Sequence, residues 1–423
     1  MSMDGQEMVS RKITPGRNYF GMRTMRILAL QNIARTGLFA VLIGFGAGCA
    51  TQTKTGKKAY EFYPPPPDEP HLQFLTAFSS EKEFRGKEDK NLMTFLTGVQ
   101  PAAKEIGKPY GGAGSGGKLF ICDTEVQAVV VADLQTRRFA ALDAQGEGAL
   151  KQPQNITFDS DGLCYVTDTG RQQVVIFDKN KNYLATLGKK DELKPLDVAV
   201  SKDKIYVADL MKHSVRVFDK TSRTLVRQIP SIEEAPKIAQ LQKEISAIEA
   251  KAKLQGETSK EDLKALNEKS AELNSKGPLY TPTNLALDSK GRLYVSDSGA
   301  FRVQVYDSEG KYIRSIGEMG KGLGQFGRVK GIAVDRQDRL YAVDALSQAT
   351  QIFNEEGRLL TWFTEPEGAS RVQNLPAKIF LDYDDVSYFK SYAAPNFELE
   401  YLAVIINQLG SHKVSVYGFG HKK

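Results

Sequence analysis

A pattern of four short apolar runs recurs along this chain, and this repeat most constrains its fold. In Lys151–Gly188 the runs are rich in Val, Ile, Tyr, Phe and Thr, and Asp, Gly and Asn separate them. Runs of this kind between turn residues are typical of antiparallel strands joined as hairpins. A single four-stranded meander cannot bury both of its faces, so further copies are needed to form a core.

Five other segments carry the same pattern. The second predicted strand ends with an aspartate in five of the six copies and with Asn407 in the last, at spacings of 45, 41, 88, 47 and 63 residues. A period of roughly 40–47 residues with four strands per unit is typical of β-propeller blades. The sequence therefore predicts an all-β, six-bladed β-propeller. The copies are Lys108–Leu142, Lys151–Gly188, Lys194–Ile229, Thr281–Gly317, Arg328–Phe363 and Leu375–Gly418, and the aspartates are Asp123, Asp168, Asp209, Asp297 and Asp344.

The copies resemble NHL repeats over residues 108–418. That family's pattern has a proline, a short apolar strand ending in Asp, a Gly turn, a Leu-Tyr-Val-x-Asp strand and an Arg-Val-x-Val-Phe-like strand. The resemblance implies a propeller of the NHL type. The fullest match is formed by Pro282, Asp288, Gly291, Leu293–Asp297 and Arg302–Tyr306.

Residues 1–49 are expected to be a signal peptide rather than part of the fold. An arginine-containing stretch precedes Thr36–Phe45, an apolar run too short to span a bilayer as a mature helix. Residues 1–21 have no role in such a signal, so they are expected to be a mis-started extension. An ordinary secretory signal and an uncleaved anchor are the alternatives.

Gly46–Cys49 resembles a bacterial lipobox, in which small residues precede a lipid-modified cysteine. The resemblance implies lipidation of Cys49, and Ala50 rather than Asp after it implies the outer membrane of the cell envelope. Residues 50–70, which include Pro64–Pro67, predict a stiff polyproline tether. We therefore expect a lipid-anchored envelope protein.

A lone predicted strand, residues 71–78, precedes the first copy and is expected to close the ring. The last copy ends at Gly418 with one strand fewer than the others. Pairing the early strand with the last blade removes two exposed edges. The predicted propeller therefore spans residues 71–423 and is expected to be monomeric.

Residues 231–276 interrupt the propeller between the third and fourth copies. Apolar residues recur there at 3-4 spacing in Ile238–Ala252 and Leu263–Leu273, which predicts two helices. Gly256 between them is typical of a C-cap, and Ser259 is typical of an N-cap. The segment therefore predicts an antiparallel helical hairpin, which is a candidate arm for docking a protein partner. The alternative is a passive insertion that packs on the propeller.

Motifs of common catalytic chemistry are missing from the sequence. Its 4 histidines do not occur at short metal-ligand spacing, and it contains no Gly-x-Ser-x-Gly, P-loop or CxxCH motif. The repeated aspartates are interpreted as turn residues whose carboxylates accept backbone N–H bonds. Cys122 and Cys164 are interpreted as buried thiols, with a disulfide between them as the alternative. The net charge of +6 comes without a basic stripe, so nucleic-acid binding is not expected.

One position on the predicted innermost strands carries polar residues where the NHL pattern favours glycine. Three amide or carboxylate oxygens near the channel mouth could bind Ca²⁺ or a polar ligand. Lys378 could instead neutralise Asp197, and a hydrated polar channel is the simplest interpretation. The residues at this position are Gly111, Asn155, Asp197, Asn284, Gly331 and Lys378.

These patterns favour a non-catalytic binding or scaffold module whose propeller loops and hairpin contact a protein or glycan partner. Similarity to proline-tethered NHL lipoproteins of bacteria rich in multihaem cytochromes implies a place in an electron-transfer or export assembly. No cofactor is expected, apart from the Ca²⁺ considered above. The alternative is a metal-dependent hydrolase or lyase with Asn155, Asp197 and Asn284 at its site.

Overall fold

The structure, a computed structural model, describes residues 60–65, 68–69, 71–86, 104–231, 233–364 and 373–423. Six antiparallel sheets form, five with four strands and one with five. The innermost strand of each sheet contacts the innermost strand of the next sheet. The innermost strands of the last and first sheets contact each other in the same way, which closes the ring. The all-β, six-bladed propeller with an inserted helical hairpin is therefore confirmed.

The first five blades share one plan, with four strands numbered outward from the channel. Blade 1 contains β3 (Pro109–Gly114), β4 (Lys118–Asp123), β5 (Ala128–Asp133) and β6 (Arg138–Ala141). Blade 2 contains β7 (Pro153–Phe158), β8 (Cys164–Asp168), β9 (Gln173–Phe177) and β10 (Tyr183–Leu187). Blade 3 contains β11 (Pro195–Val200), β12 (Lys204–Asp209), β13 (Ser214–Asp219) and β14 (Leu225–Ile229). Blade 4 contains β15 (Pro282–Leu287), β16 (Leu293–Asp297), β17 (Arg302–Tyr306) and β18 (Tyr312–Ile316). Blade 5 contains β19 (Val329–Val334), β20 (Leu340–Asp344), β21 (Ala349–Phe353) and β22 (Leu359–Phe363).

Blade 6 is built from both ends of the described chain. Its inner strands are β23 (Pro376–Asp382), β24 (Phe397–Asn407) and β25 (Val414–Lys422), and β2 (Leu72–Phe78) pairs with β25. A short strand β1 (Phe62–Tyr63), within the segment expected to be a tether, adds a fifth strand beside β2.

Buried Gln73 fastens strand β2 to the rest of blade 6. Its amide donates to the Tyr392 carbonyl at 3.1 Å and accepts from the Ala394 N–H at 2.9 Å. A buried amide with both ends paired fixes the position of the strand that carries it. The N-terminal strand is therefore held by side-chain contacts as well as by the sheet ladder.

Apolar side chains on facing blades form the core. Between blades 1 and 2, for example, Phe120, Ile156 and Phe177 are buried together with Cys122 and Cys164. Both thiols are free, as interpreted from the sequence. Burial raises the pKa of Cys164 to about 12 and that of Cys122 well above its usual range, so neither is a thiolate near neutral pH.

The repeated aspartates fasten the start of each inner strand. In blade 2, Pro153 pairs with Asp168 across the sheet, and proline has no N–H to donate. The Asp168 carboxylate instead accepts the N–H groups of Lys151 at 2.6 Å and Gln152 at 3.0 Å. The same contact joins Asp123 to Gly107 and Lys108, Asp209 to Lys194, Asp297 to Tyr280 and Thr281, and Asp344 to Gly327 and Arg328. These aspartates are structural, as predicted.

Blade 6 differs because Asn407 stands where the other blades have aspartate. Its amide donates to the His412 carbonyl at 3.0 Å and the Ser415 hydroxyl at 3.1 Å. It therefore stabilises the β24–β25 connection rather than the start of the inner strand.

The helical hairpin lies between blades 3 and 4 and consists of α2 (Ala235–Gln255) and α3 (Lys260–Ser275). Gly256 ends the first helix with φ 77°, and the Ser259 hydroxyl caps the second by accepting from the Asp262 N–H at 3.0 Å. The antiparallel pairing is marked by ion pairs, Lys237 with Glu272 at 2.8 Å and Lys251 with Asp262 at 3.0 Å.

The remaining helices are short. They are α1 (Glu81–Arg85), which packs near β2, the single-turn 3-10 segments Gly146–Gly148 and Ser298–Ala300, and the seven-residue 3-10 helix Val386–Tyr392. In the part of the chain that is described, no helix combines the length and apolar character needed to cross a bilayer.

We predict that Asp168→Asn lowers the free energy of unfolding by about 2–4 kcal/mol, because the amide nitrogen cannot accept one of the buried N–H bonds and the carboxylate charge is lost. Urea denaturation at neutral pH measures this. Asp143→Asn, on an exposed loop, is the matched control and should change stability by less than about 0.5 kcal/mol. Equal stability of the two variants would contradict the role assigned to Asp168.

Candidate functional site

The polar residues predicted at the channel meet in one buried group. Asn155 lies on β7, Asp197 on β11, Asn284 on β15 and Lys378 on β23, and all four are buried. The Asp197 carboxylate accepts from Asn155 Nδ2 at 2.6 Å, Lys378 Nζ at 2.7 Å and Asn284 Nδ2 at 3.3 Å. We call these four residues the channel ring.

Backbone N–H groups complete the environment of Asp197. Val198 N donates to Oδ1 at 2.8 Å and Leu285 N donates to Oδ2 at 2.9 Å. The side-chain oxygen Oδ1 of Asn155 likewise accepts from Ile156 N at 2.9 Å. The Asp197 carboxylate therefore accepts from three side chains and two backbone N–H groups, and these bonds use its acceptor capacity.

The two glycines of the predicted set make room for the ring. A Cβ at Gly111 would lie 2.3 Å from Asn155 Oδ1, and one at Gly331 would lie 2.6 Å from the Ile379 backbone nitrogen. Both distances are shorter than any stable carbon contact. The inner strands of blades 1 and 5 can therefore approach their neighbours only because these positions lack a side chain.

The ring does not have the chemistry of a cation site. Lys378 places an ammonium group on the carboxylate that Ca²⁺ would need, and Ca²⁺ usually takes six to eight oxygen ligands. Among the described residues, no group of three or more His, Cys, Asp or Glu is arranged to hold a metal. Of the alternatives left open by the sequence, the geometry matches the one in which Lys378 neutralises Asp197.

One acceptor in the ring has no protein partner. Asn284 Oδ1 is buried and makes no hydrogen bond within the described residues. Such an atom usually binds an ordered water when the site is polar. It provides one acceptor, which is too few to hold a metal ion without other ligands.

A cavity of about 300 Å³ lies on one side of the ring, toward the ends of the inner strands. Most of its lining residues are apolar in type, with Lys378 at the edge that borders the ring, but the wall itself is polar and apolar in about equal parts. It can admit a small group, and few of its side chains offer directional contacts. Lining residues include Ile156, Val198, Leu285, Ile332, Phe380 and Tyr383.

The opposite side of the ring, where the inner strands begin, carries a lysine that the sequence interpretation missed. Lys330 is buried, with its Nζ 4.9 Å from the centre of the Tyr110 ring and 3.5 Å from Gln408 Oε1. Burial lowers the pKa of Lys330 to about 8, and the nearby cations Arg328 and Lys108 add to this effect. One sequence feature could have indicated this lysine. It lies directly before Gly331, at a position where the other copies have an uncharged residue.

Other residues considered from the sequence lie apart from the ring. His71 stacks on Phe419, His213 contacts the Tyr280 carbonyl, and His421 pairs with Glu400 at 2.9 Å. The structure does not bring these histidines together. Cys49 and the preceding signal segment lie outside the described residues.

Comparisons with known proteins were made against families, curated proteins and solved structures. A family model described as a 6-bladed beta-propeller matches residues 278–362, which correspond to blades 4 and 5. No curated protein matches the sequence.

Three similar solved structures illustrate the range of the matches. A Bacteroides thetaiotaomicron protein of unknown function is 14% identical, with 82% of this chain and 75% of that chain covered and a TM-score of 0.49. A Xanthomonas campestris gluconolactonase is 12% identical, with 82% and 89% covered and a TM-score of 0.48. A Staphylococcus aureus virginiamycin B lyase, solved with quinupristin, is 12% identical, with 74% and 96% covered and a TM-score of 0.45.

We predict that Lys378→Met lowers the free energy of unfolding by about 3–5 kcal/mol, because the Asp197 carboxylate is left buried without its cationic partner. Urea denaturation measures the loss. Adding Asp197→Asn to Lys378→Met removes the unpaired charge and should recover at least half of the lost stability. A double variant no more stable than the single variant would contradict the ion-pair assignment.

Proposed function

We propose that this chain is a non-catalytic binding module of the bacterial cell envelope. In this proposal an NHL-type propeller is anchored by a lipid on Cys49. It acts as a rigid platform, rather than as an enzyme, and presents its loops and the helical hairpin to a protein partner.

 The platform's rigidity comes from the closed ring of blades, in which each inner strand contacts the next.

The observation that carries this proposal is the ion pair between Lys378 and Asp197 at 2.7 Å. A metal-dependent hydrolase or lyase at this place would need the Asp197 carboxylate as a ligand. Lys378, Asn155 and two backbone N–H groups already bind that carboxylate. The alternative enzyme function therefore requires the ring to come apart, whereas a binding module keeps it intact.

The hairpin supports partner binding because its far end displays apolar side chains. Buried contacts lie near its base, where Ile238, Leu241 and Leu273 pack together. Near the turn at Gly256, by contrast, Leu254 is 89% exposed and Leu263 is 53% exposed. Apolar side chains that are exposed together and rimmed by polar residues can mark a protein interaction site. We propose that this end of the hairpin, Leu254 and Leu263, contacts the partner.

The partner that we propose is a subunit of an electron-transfer or export assembly. This part of the proposal rests on the resemblance to proline-tethered NHL lipoproteins. In this proposal the end of the hairpin is the docking surface, and the lipid on Cys49 would place that surface at the membrane where such assemblies lie.

We predict that Leu254→Glu combined with Leu263→Glu lowers recovery of the partner at least tenfold, which corresponds to about 1.4 kcal/mol of binding free energy. The measurement is affinity purification of the tagged protein from solubilised membranes, followed by quantitative mass spectrometry. Leu184→Glu, at an outer-strand leucine that is 43% exposed, is the matched control and should leave recovery unchanged. Undiminished recovery with the hairpin variant would refute the docking role.

We predict that Cys49→Ser abolishes labelling by a radioactive fatty acid, because serine lacks the thiol that accepts the lipid. The same change should move the protein from the membrane fraction to the soluble fraction. Cys122→Ser, at a buried thiol, serves as the control and should keep both the label and the membrane association. Retained label in the Cys49 variant would show that the anchor is not at this residue.

A further inference from the structure

Lys330 is a buried cation whose partner is not supplied by the described residues. Only 4% of the residue is exposed. Its closest polar contact is Gln408 Oε1 at 3.5 Å, which is at the outer limit of a hydrogen bond. Within the described part of the chain, Lys330 forms no ion pair with a carboxylate. Lys378, by contrast, has a carboxylate partner, because its ammonium group lies 2.7 Å from Asp197.

The charged neighbours of Lys330 increase the local positive charge instead of offsetting it. Arg328 and Lys108 both lower its pKa, as like charges do. Both side chains are exposed and belong to blades 5 and 1, on either side of blade 6. Tyr110 offers the face of its ring at 4.9 Å, which stabilises a cation only modestly. We call Lys330, Arg328, Lys108, Tyr110 and Gln408 the cationic mouth.

A purely structural role does not account for this arrangement. Burying an ammonium group is unfavourable unless an anion or several strong acceptors compensate for the lost water. Gln408 supplies one weak acceptor, and its backbone carbonyl is already bonded to Lys413 Nζ at 3.0 Å. An apolar side chain would fill the same volume at lower cost. The missing element is therefore a negatively charged group that the described residues do not supply.

We propose that the cationic mouth binds an oxyanion, a phosphate or carboxylate group of a small molecule, with Lys330 as its principal contact. Charge-assisted hydrogen bonds from an ammonium to such oxygens are the strong kind, and the exposed Arg328 and Lys108 attract the anion to the mouth. The site lies on the opposite side of the channel ring from the cavity of about 300 Å³. This inference is independent of the hairpin and of the lipid anchor, so it can hold or fail separately from the proposed function.

Binding by this site requires the protonated form of Lys330. Because the folded pKa of Lys330 is lowered to about 8, its charge is present at pH 7 and is largely lost by pH 9. The guanidinium group of Arg328, the ammonium group of Lys108 and the phenol of Tyr110 also face it. Burial raises the pKa of Tyr110, which therefore stays neutral in this pH range. Burial lowers the pKa of Lys413, which reaches the mouth through Gln408. Sulfate, which does not titrate in this range, should bind about tenfold more weakly at pH 9 than at pH 7.

The test is isothermal titration of the full chain with sulfate, inorganic phosphate and succinate at constant ionic strength. We expect saturable binding of at least one anion, and Lys330→Met should weaken it at least tenfold. Lys194→Met is the matched control, because Lys194 is an exposed lysine at the repeat position of Arg328 but on blade 3. Its affinity should stay within twofold of the unmodified protein.

The three anions distinguish the two sources of the oxyanion. Saturation by sulfate and phosphate supports a phosphate group, and saturation by succinate alone supports a carboxylate. A fold defect in the Lys330→Met variant would not mask the result, because the pH dependence is measured on the unmodified protein. The proposal is overturned if no anion saturates, if Lys330→Met binds as the unmodified protein does, or if the affinity for the bound anion is the same at pH 7 and pH 9.

Discussion

The architecture depends on a contact that recurs in five of the six blades, between an aspartate carboxylate and the start of the inner strand. Proline begins most inner strands and cannot bond to the aspartate that faces it across the sheet. The aspartate side chain therefore bonds to the N–H groups that precede the proline, which fixes where the inner strand enters the channel. The position of each channel-lining residue depends on where its strand enters the channel. The channel geometry therefore depends on these buried carboxylates.

The fixed inner strands divide the channel into two chemically different ends. The channel ring lies between them, and its one carboxylate is neutralised by Lys378. On one side a cavity of about 300 Å³ has walls of mixed polarity, with Lys378 as the charged residue among those that line it. On the other side Lys330, Arg328 and Lys108 leave positive charge without a protein counterion among the described residues. Under our proposal, an anionic group of a ligand binds at the cationic end of the channel and not in the cavity.

The sequence predicts those parts of the structure that rest on local patterns. Alternating apolar runs and turn residues define the blades, and a repeated aspartate between a strand and a turn indicates an acceptor of backbone N–H bonds. The partner of Asp197 could not be decided in the same way, because Lys378 is 181 residues away and reaches it only when the ring closes. Lys330 was missed for a related reason. The sequence does not distinguish a buried lysine from a surface lysine. Lys330 is enclosed by Tyr110 and Gln408, which come from blades 1 and 6 and meet it only in the folded protein.

The two buried lysines show why burial alone does not define a site. Lys378 and Lys330 both lie at the channel, and both lose most of their hydration on folding. The first regains a full charge–charge contact at 2.7 Å, so its burial is compensated within the chain. The second gains one amide oxygen at 3.5 Å and one aromatic face. The difference between these environments, rather than the presence of lysine, is what directs attention to an external anion at the mouth.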